Sequence, residues 1–381
     1  MIRIVADDKM PFLKGALEPF AEVKYLPGRI ISNTLIKNAD ALLIRTRTKC
    51  TEKLLGNTPV KFIGTATIGF DHIDAQYCEK NNIDWTNAPG CNSSSVQQYI
   101  AAALLKLARD HRFKLKGKTI GIVGVGNVGK KVEKFARFLG MKVLLNDPPR
   151  AREEGDTNFV TLEDVLRESD IITLHVPLHH VGEDKTYHLF DENCFKMIRK
   201  PVWFINSSRG EVVETAALKK NLESGKLRGA VLDVWENEPD IDFSLVPKAY
   251  IATPHIAGYS IDGKAKGTAM VVNSLSRFFD LPLRDWYPQD VPIPEIPDIF
   301  IDCKGKSNQR IVSQVVSHTY SIEDDDTNFR YNPSDFENLR GDYPLRREFH
   351  AFTVNLKNAK NDIHMILEEL GFIVKEPGRE V

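Results

Sequence analysis

Residues 119–129 read TIGIVGVGNVG. An apolar run gives way to Gly124, Gly126 and Gly129, spaced G-x-G-x-x-G, and a helix is expected from about Val128. In such a setting the first glycine permits a tight turn and the second lets the backbone approach a pyrophosphate. The third lets helix and strand pack closely, while the helix N-terminus faces the negative charge. Asn127 and Val128 belong to the same expected cofactor loop. The next apolar run, KVLLND (142–147), ends on Asp147. An acid there can accept hydrogen bonds from the adenosine ribose hydroxyls and repel a 2′-phosphate, so NAD is expected rather than NADP.

Outward from this fingerprint the chain alternates strand-like and helix-like stretches. DIITLHVP (170–177), VWFINSS (202–208), AVLDVW (230–235) and AYIATPH (249–255) continue the series, with helical pieces such as LEDVLRES (162–169) and TAALKKNLESG (215–225) between them. Upstream, IRIVA (2–6), EVKYL (22–26), ALLIRT (41–46), KFIGTA (61–66) and IDWTN (83–87) read the same way. Repeated β–α alternation predicts parallel sheets covered on both faces. Two doubly wound α/β units are therefore expected, Rossmann-like or flavodoxin-like. Ser93–Ser95 are expected to cap a long helix, SVQQYIAAALLKLARDHRF. The helix around 266–279 is the candidate for a return to the first unit. DWYPQDVPIPEIPD (285–298) concentrates prolines and marks a linker. Beyond it a small α+β domain is expected: a strand FIDC, a helix near SNQRIVSQVVSH, an acidic loop SIEDDDTNFR, a helix NAKNDIHMILEELG and a strand FIVKE.

Composition sets bounds. At 381 residues the chain calls for two or three domains. The net charge of −1 excludes a global field that would recruit nucleic acid. The longest apolar runs, such as IAAALL (100–105), fall far short of a membrane span, and MIRIVADDKM reads directly as a strand, so no secretory leader is expected. The five cysteines are scattered and never spaced C-x-x-C, which fits a reducing cytoplasm and no structural zinc. His175, His179, His180 and His188 lie close in sequence, but over a strand end and a loop rather than as a helical pair, so no metal site is expected.

Three segments downstream of the fingerprint each deliver one polar residue: Arg209 in INSSRGEVV, Glu238 in DVWENEP and His255 in TPHIAGYS. Arginine offers a bidentate fork for a carboxylate. Histidine can take the proton of a substrate hydroxyl and return it in the reverse direction. Glutamate can hold the other ring nitrogen and stabilise the imidazolium. Singly, each has an ordinary structural reading: a histidine after a strand, an arginine capping a loop, a solvated glutamate. Their arrangement at successive strand ends, beside a cofactor that accepts hydride, points to alcohol–ketone redox chemistry.

GVGNVG with Asp147, INSSRG, DVWENEP and TPHIAG, in that order, resemble the motifs of the D-isomer-specific 2-hydroxyacid dehydrogenases. The resemblance implies a split substrate domain (1–93 and 256–285), an inserted NAD domain (94–255) and catalysis between them. It assigns catalysis to Arg209, Glu238 and His255, and implies cofactor contacts for Asp233 and Gly258. The loops LIRTRTKC (43–50) and GTATIGFDHID (64–74), together with YPLRREF (343–349), resemble family members that oxidise 4-phospho-D-erythronate with NAD on the route to vitamin B6. Thr46, Thr67 and Tyr259 are implied substrate contacts, and Arg45 and Arg47, with Lys49, can bind a phosphate. Phe70 stands where the family often has a smaller residue, and a ring there is expected to narrow the pocket. The part after residue 285 is expected to dimerise the protein. Two other readings stay open: a dehydrogenase for another hydroxy acid such as phosphoglycerate, and an NAD-responsive, corepressor-like binding protein.

Overall fold

The computed structural model describes residues 1–375. Its contacts divide the chain into two compact units, Met1–Asn92 with Ser260–Pro292, and Ser93–Tyr259 with the segment from Ile293 onward. Residues 376–381 of the expected C-terminal domain lie outside the described residues.

In the first unit β1 (Ile2–Asp7), β2 (Ala21–Leu26), β3 (Ala41–Ile44), β4 (Phe62–Thr65) and β5 (Asp84–Thr86) pair in the order β2-β1-β3-β4-β5, all parallel. Strand residues alternate between the two faces, so each face needs its own cover. Ile4, Leu43 and Phe62 pack with Val271, Val272 and Leu275 of the helix Ile261–Phe278, the return expected from sequence. Val5, Leu42, Ile44 and Ile63 pack on the other face with Leu55 and Cys78.

The second unit holds β6 (Thr119–Val123), β7 (Lys142–Asn146), β8 (Ile171–Leu174), β9 (Val202–Asn206), β10 (Leu227–Leu232) and β11 (Ile251–Ala252). They form one parallel sheet in the order β11-β10-β9-β8-β6-β7. The chain leaves β6 toward β7 on one side and comes back to β8 on the other, so the strand order reverses at the C-terminal ends of β6 and β8. Doubly wound sheets bind ligands at that switch point. The helix Ser93–Asp110 is buried on nearly every side. Ser93–Ser95 form its first turn rather than preceding it as caps.

The segment after the linker has its own three-stranded parallel sheet: β12 (Asp298–Asp302), β13 (Thr353–Lys357) and β14 (Ile373–Lys375). SIEDDDTNFR is not a loop: Ile322–Tyr331 is a helix. Ser321 accepts the Asp324 N–H, and Glu323, Asp324 and Asp325 occupy the positive first turn, so the acid run is a helix start. This helix closes the edge strand of the six-stranded sheet. Asp326 accepts the Ala252 N–H at 2.6 Å, and Arg330 donates to the carbonyls of Val246 and Ala249 at 2.8 Å each. Phe329 and Phe336 are buried in the core beneath β9 and β10. No helix among the described residues is long and apolar enough to cross a membrane.

Candidate active site

The glycine loop follows β6 at the switch point. Gly124 has φ +89, and a Cβ there would lie 2.6 Å from the His175 carbonyl oxygen, so both the turn and the close approach require glycine. A Cβ on Gly129 would come within 2.1 Å of the Gly124 carbonyl, because helix and loop are in contact. At Gly126 the added carbon would meet nothing within 4 Å. That open spot precedes the helix Asn127–Phe138, whose N-cap supplies no side chain, and Asn127 itself is exposed. The amides of this helix start are therefore left open to an anion. Val128 is half-buried against the core.

Asp147, just past β7, is braced at both oxygens. Oδ2 accepts the Val125 N–H at 2.7 Å and Oδ1 accepts the Arg150 N–H at 3.2 Å. The carboxylate thus stands beside the glycine loop with its orientation fixed.

At the far end of the same sheet edge, β10 and β11 deliver the DVWENEP and TPHIAG turns. His255 Nδ1 lies 2.7 Å from Glu238 Oε2, while Oε1 of Glu238 accepts the Trp235 N–H at 2.9 Å. Burial pushes the Glu238 carboxyl up, but His255, the Trp235 amide and Arg340 nearby outweigh it and hold it below the ordinary carboxylate range. An ionised carboxylate only accepts, so Nδ1 carries a hydrogen and Nε2 is the basic nitrogen of the neutral ring. No described residue hydrogen-bonds Nε2.

Arg209 follows β9 in an extended conformation and is half-buried. Asn206 organises its loop: its side-chain amide donates to the Arg209 carbonyl at 2.9 Å, and its oxygen accepts the Ser208 N–H and hydroxyl. Gly210 rests directly on the Trp235 backbone, where a Cβ would lie 1.9 Å from its carbonyl carbon. Two turns far apart in sequence are thereby seated on each other, with Arg209 on one and Glu238 on the other.

Asp233 is buried, and the structure gives it work that the sequence reading did not foresee. Its Oδ1 accepts from the Thr253 hydroxyl at 2.7 Å and the Ile256 N–H at 2.8 Å, and Oδ2 accepts the Ala257 N–H at 2.9 Å. The Thr253 proton is used there, so the buried Tyr99 hydroxyl donates to Thr253 at 2.8 Å. Burial pushes the Asp233 carboxyl up despite these donors. Gly258 and Tyr259 continue the turn. Arg340, another residue that sequence reading missed, lies over the Tyr259 ring at 5.7 Å. Its only prior signal was a basic side chain in an acidic, aromatic tail.

In the first unit the expected substrate residues also sit past strand ends. Arg45 and exposed Thr46 and Arg47 follow β3, with Arg45 donating to the Lys9 carbonyl at 3.2 Å. Thr67 follows β4, 2.7 Å from the Thr65 hydroxyl and donating to the Gly69 carbonyl at 2.8 Å. The Phe70 ring packs on Trp85, 4.9 Å between centroids. Among the four histidines, His175 bonds Thr173, His188 bonds Glu236, the backbone amide of His179 bonds Thr186, and the His180 and His188 rings both pack on Tyr187. The described residues hold no group of three or more potential metal ligands.

Residues 95–257 match the NAD-binding domain of the D-isomer specific 2-hydroxyacid dehydrogenases, and residues 291–371 match a domain of unknown function. The chain is 49% identical over 355 residues to an erythronate-4-phosphate dehydrogenase of Bacteroides thetaiotaomicron, covering 93% of this chain and 99% of that protein. It is 42% identical over 374 residues to one of Porphyromonas gingivalis, covering 98% and 100%. Among solved structures, D-lactate dehydrogenase from Aquifex aeolicus, complexed with NAD and lactic acid, superposes with a TM-score of 0.60 at 27% identity. That match covers 73% of this chain and 95% of the other.

Proposed function

Because the chain belongs to the D-isomer-specific 2-hydroxyacid dehydrogenase family, among the relatives named for erythronate 4-phosphate, we propose Arg209, Glu238 and His255 as its catalytic residues. It is an NAD-dependent oxidoreductase that converts 4-phospho-D-erythronate to 2-oxo-3-hydroxy-4-phosphobutanoate in pyridoxal 5′-phosphate biosynthesis. The 2.7 Å bond between Glu238 and Nδ1 of His255 carries the assignment, since it leaves Nε2 as a base.

Bound NAD would supply the acceptor for a hydride leaving C2 of the substrate. The open backbone at Gly126, the uncapped helix start at Asn127–Gly129 and the braced Asp147 suit its pyrophosphate and ribose. Asp233 and Gly258 are proposed to serve its nicotinamide end. Arg209 takes the substrate carboxylate in a bidentate grip and polarises the C2 oxygen. Nε2 of His255 removes the C2 hydroxyl proton, and Glu238 stabilises the imidazolium that results. Tyr259, Thr46, Thr67, Arg45 and Arg47 are proposed as substrate contacts, with their hydroxyls and guanidinium groups suited to the substrate's hydroxyls and phosphate.

The protein is proposed to be a cytoplasmic homodimer. The sheet of the C-terminal segment leaves Phe300 and Ile373 exposed, as are Ile293 and Ile296 in the linker. Apolar groups of this size are covered when a second copy associates. Replacing Phe300 and Ile373 by Asp is expected to give a monomer by light scattering; an unchanged dimer would place the interface elsewhere. For the chemistry, His255→Ala is expected to lower kcat by about 10²–10⁴-fold while NAD affinity stays the same. Unchanged turnover would refute the assignment.

A further inference from the structure

Arg346 is a buried arginine in the C-terminal segment, 5% exposed, and it reaches the turn that carries His255. Its Nη2 donates to the Ala257 carbonyl at 2.6 Å and the Ile256 carbonyl at 3.1 Å. The same nitrogen bonds the Ser95 hydroxyl, which itself donates to the Ala257 carbonyl at 2.9 Å. On the amide side of these two residues, Asp233 holds the Ile256 and Ala257 N–H groups. The chain immediately after His255 is thus gripped by a carboxylate on its donors and by a guanidinium on its acceptors. Arg346 is in turn held in place. Its guanidinium lies over the Tyr320 ring at 4.6 Å and near the Tyr343 ring at 5.6 Å, and both tyrosine hydroxyls donate to Asp325 at 2.7 Å.

His255 needs such a grip. Its φ is +57, a left-handed conformation that a non-glycine residue keeps only when its surroundings over-determine it. The imidazole direction depends on that backbone, and so does its meeting with Glu238. We propose that Arg346 is a positioning residue for proton transfer: it fixes the turn at 255–257 so that the His255 ring is presented to Glu238 and to substrate. The segment after the linker then belongs to the catalytic architecture as well as to any association of subunits. This rests on the assignment of His255 as the proton acceptor.

Arg346→Lys in the full-length protein tests it. Lysine keeps a positive charge but ends one bond short of the Nη2 position that makes all three contacts, and it has no planar face to lay on the Tyr320 ring. The expected result is a kcat lowered at least about tenfold, within the roughly hundredfold range of a slightly misplaced catalytic group, with the Kd for NAD changed less than about twofold. The low-field proton resonance of His255 Nδ1–H should broaden or shift in the cofactor-free protein, a readout that does not depend on turnover. A folded Arg346→Lys variant with wild-type kcat and an unmoved resonance overturns the proposal. If the variant does not fold, Ser95→Ala decides by the same two readouts, since it removes only a hydroxyl shared by Arg346 and Ala257. Failure of the underlying assignment would show separately, as full activity in His255→Ala.

Discussion

Glu238 Oε2 holds Nδ1 of His255 at 2.7 Å, and this contact orients the ring, sets its tautomer and leaves Nε2 as its basic nitrogen. Everything else at this end of the sheet supports it: the Trp235 amide on the other Glu238 oxygen, Asp233 beneath the turn and Arg346 behind it.

Glu238→Gln keeps the shape and removes the charge. Loss of a carboxylate beside an imidazole makes protonation of the ring harder. The imidazolium formed during proton transfer loses its stabilising charge, so kcat is predicted to fall by tenfold or more. Stability gives the second sign. The Glu238 carboxyl is held below its ordinary value of about 4.3, so it stabilises the fold above that pH and the contribution is lost as pH falls further. Urea midpoints measured from about pH 5 down to about pH 3 should fall less steeply in the variant than in the parent.

Arg209→Lys retains charge but loses the planar fork. With a charge-assisted hydrogen bond worth about 1.5–3 kcal/mol, kcat/KM for the hydroxy acid is predicted to drop roughly 10- to 100-fold while the KM for NAD stays constant. Equal loss for both substrates in steady-state assays would argue that the loop held by Asn206 had collapsed instead.

The glycine loop offers a paired test. Gly129→Ala forces a methyl against the Gly124 carbonyl, 2.1 Å from where its carbon would sit, and is expected to cost about 1–3 kcal/mol in denaturant unfolding. Gly126→Ala meets open space, so stability should be nearly unchanged while NAD binding weakens in calorimetry. Equal NAD affinity in Gly126→Ala would mean that the pyrophosphate lies elsewhere.

Asp147→Ser should relax cofactor choice. Removing the acid removes repulsion of a 2′-phosphate, and the ratio of kcat/KM for NADP to that for NAD is predicted to rise about tenfold or more. Serine is an equally good N-cap, so the helix Pro148–Glu154 should keep its start and stability should change little.

Most of this was legible without coordinates wherever the determining forces act over a few residues. Strand and helix positions came from apolar periodicity, the cofactor loop from glycine spacing next to a strand, and the acid after β7 from its register. Ser321 and the acids behind it show where local reading slipped: a run of charge looked like solvent-exposed loop, whereas the cap and the helix dipole made it a helix start.

By itself, then, the sequence determined the two parallel α/β units, the NAD fingerprint and the three polar residues proposed for the redox chemistry. Each follows from spacing along one strand–turn–helix unit. Only the tertiary structure decided what holds those residues in working geometry. Gly210 lies against Trp235, Tyr99 reaches Asp233 through Thr253, and Arg346 grips the Ala257 carbonyl from 89 positions away. No local pattern encodes such contacts, because a buried charge or a missing Cβ acquires its meaning from the partner that folding brings to it.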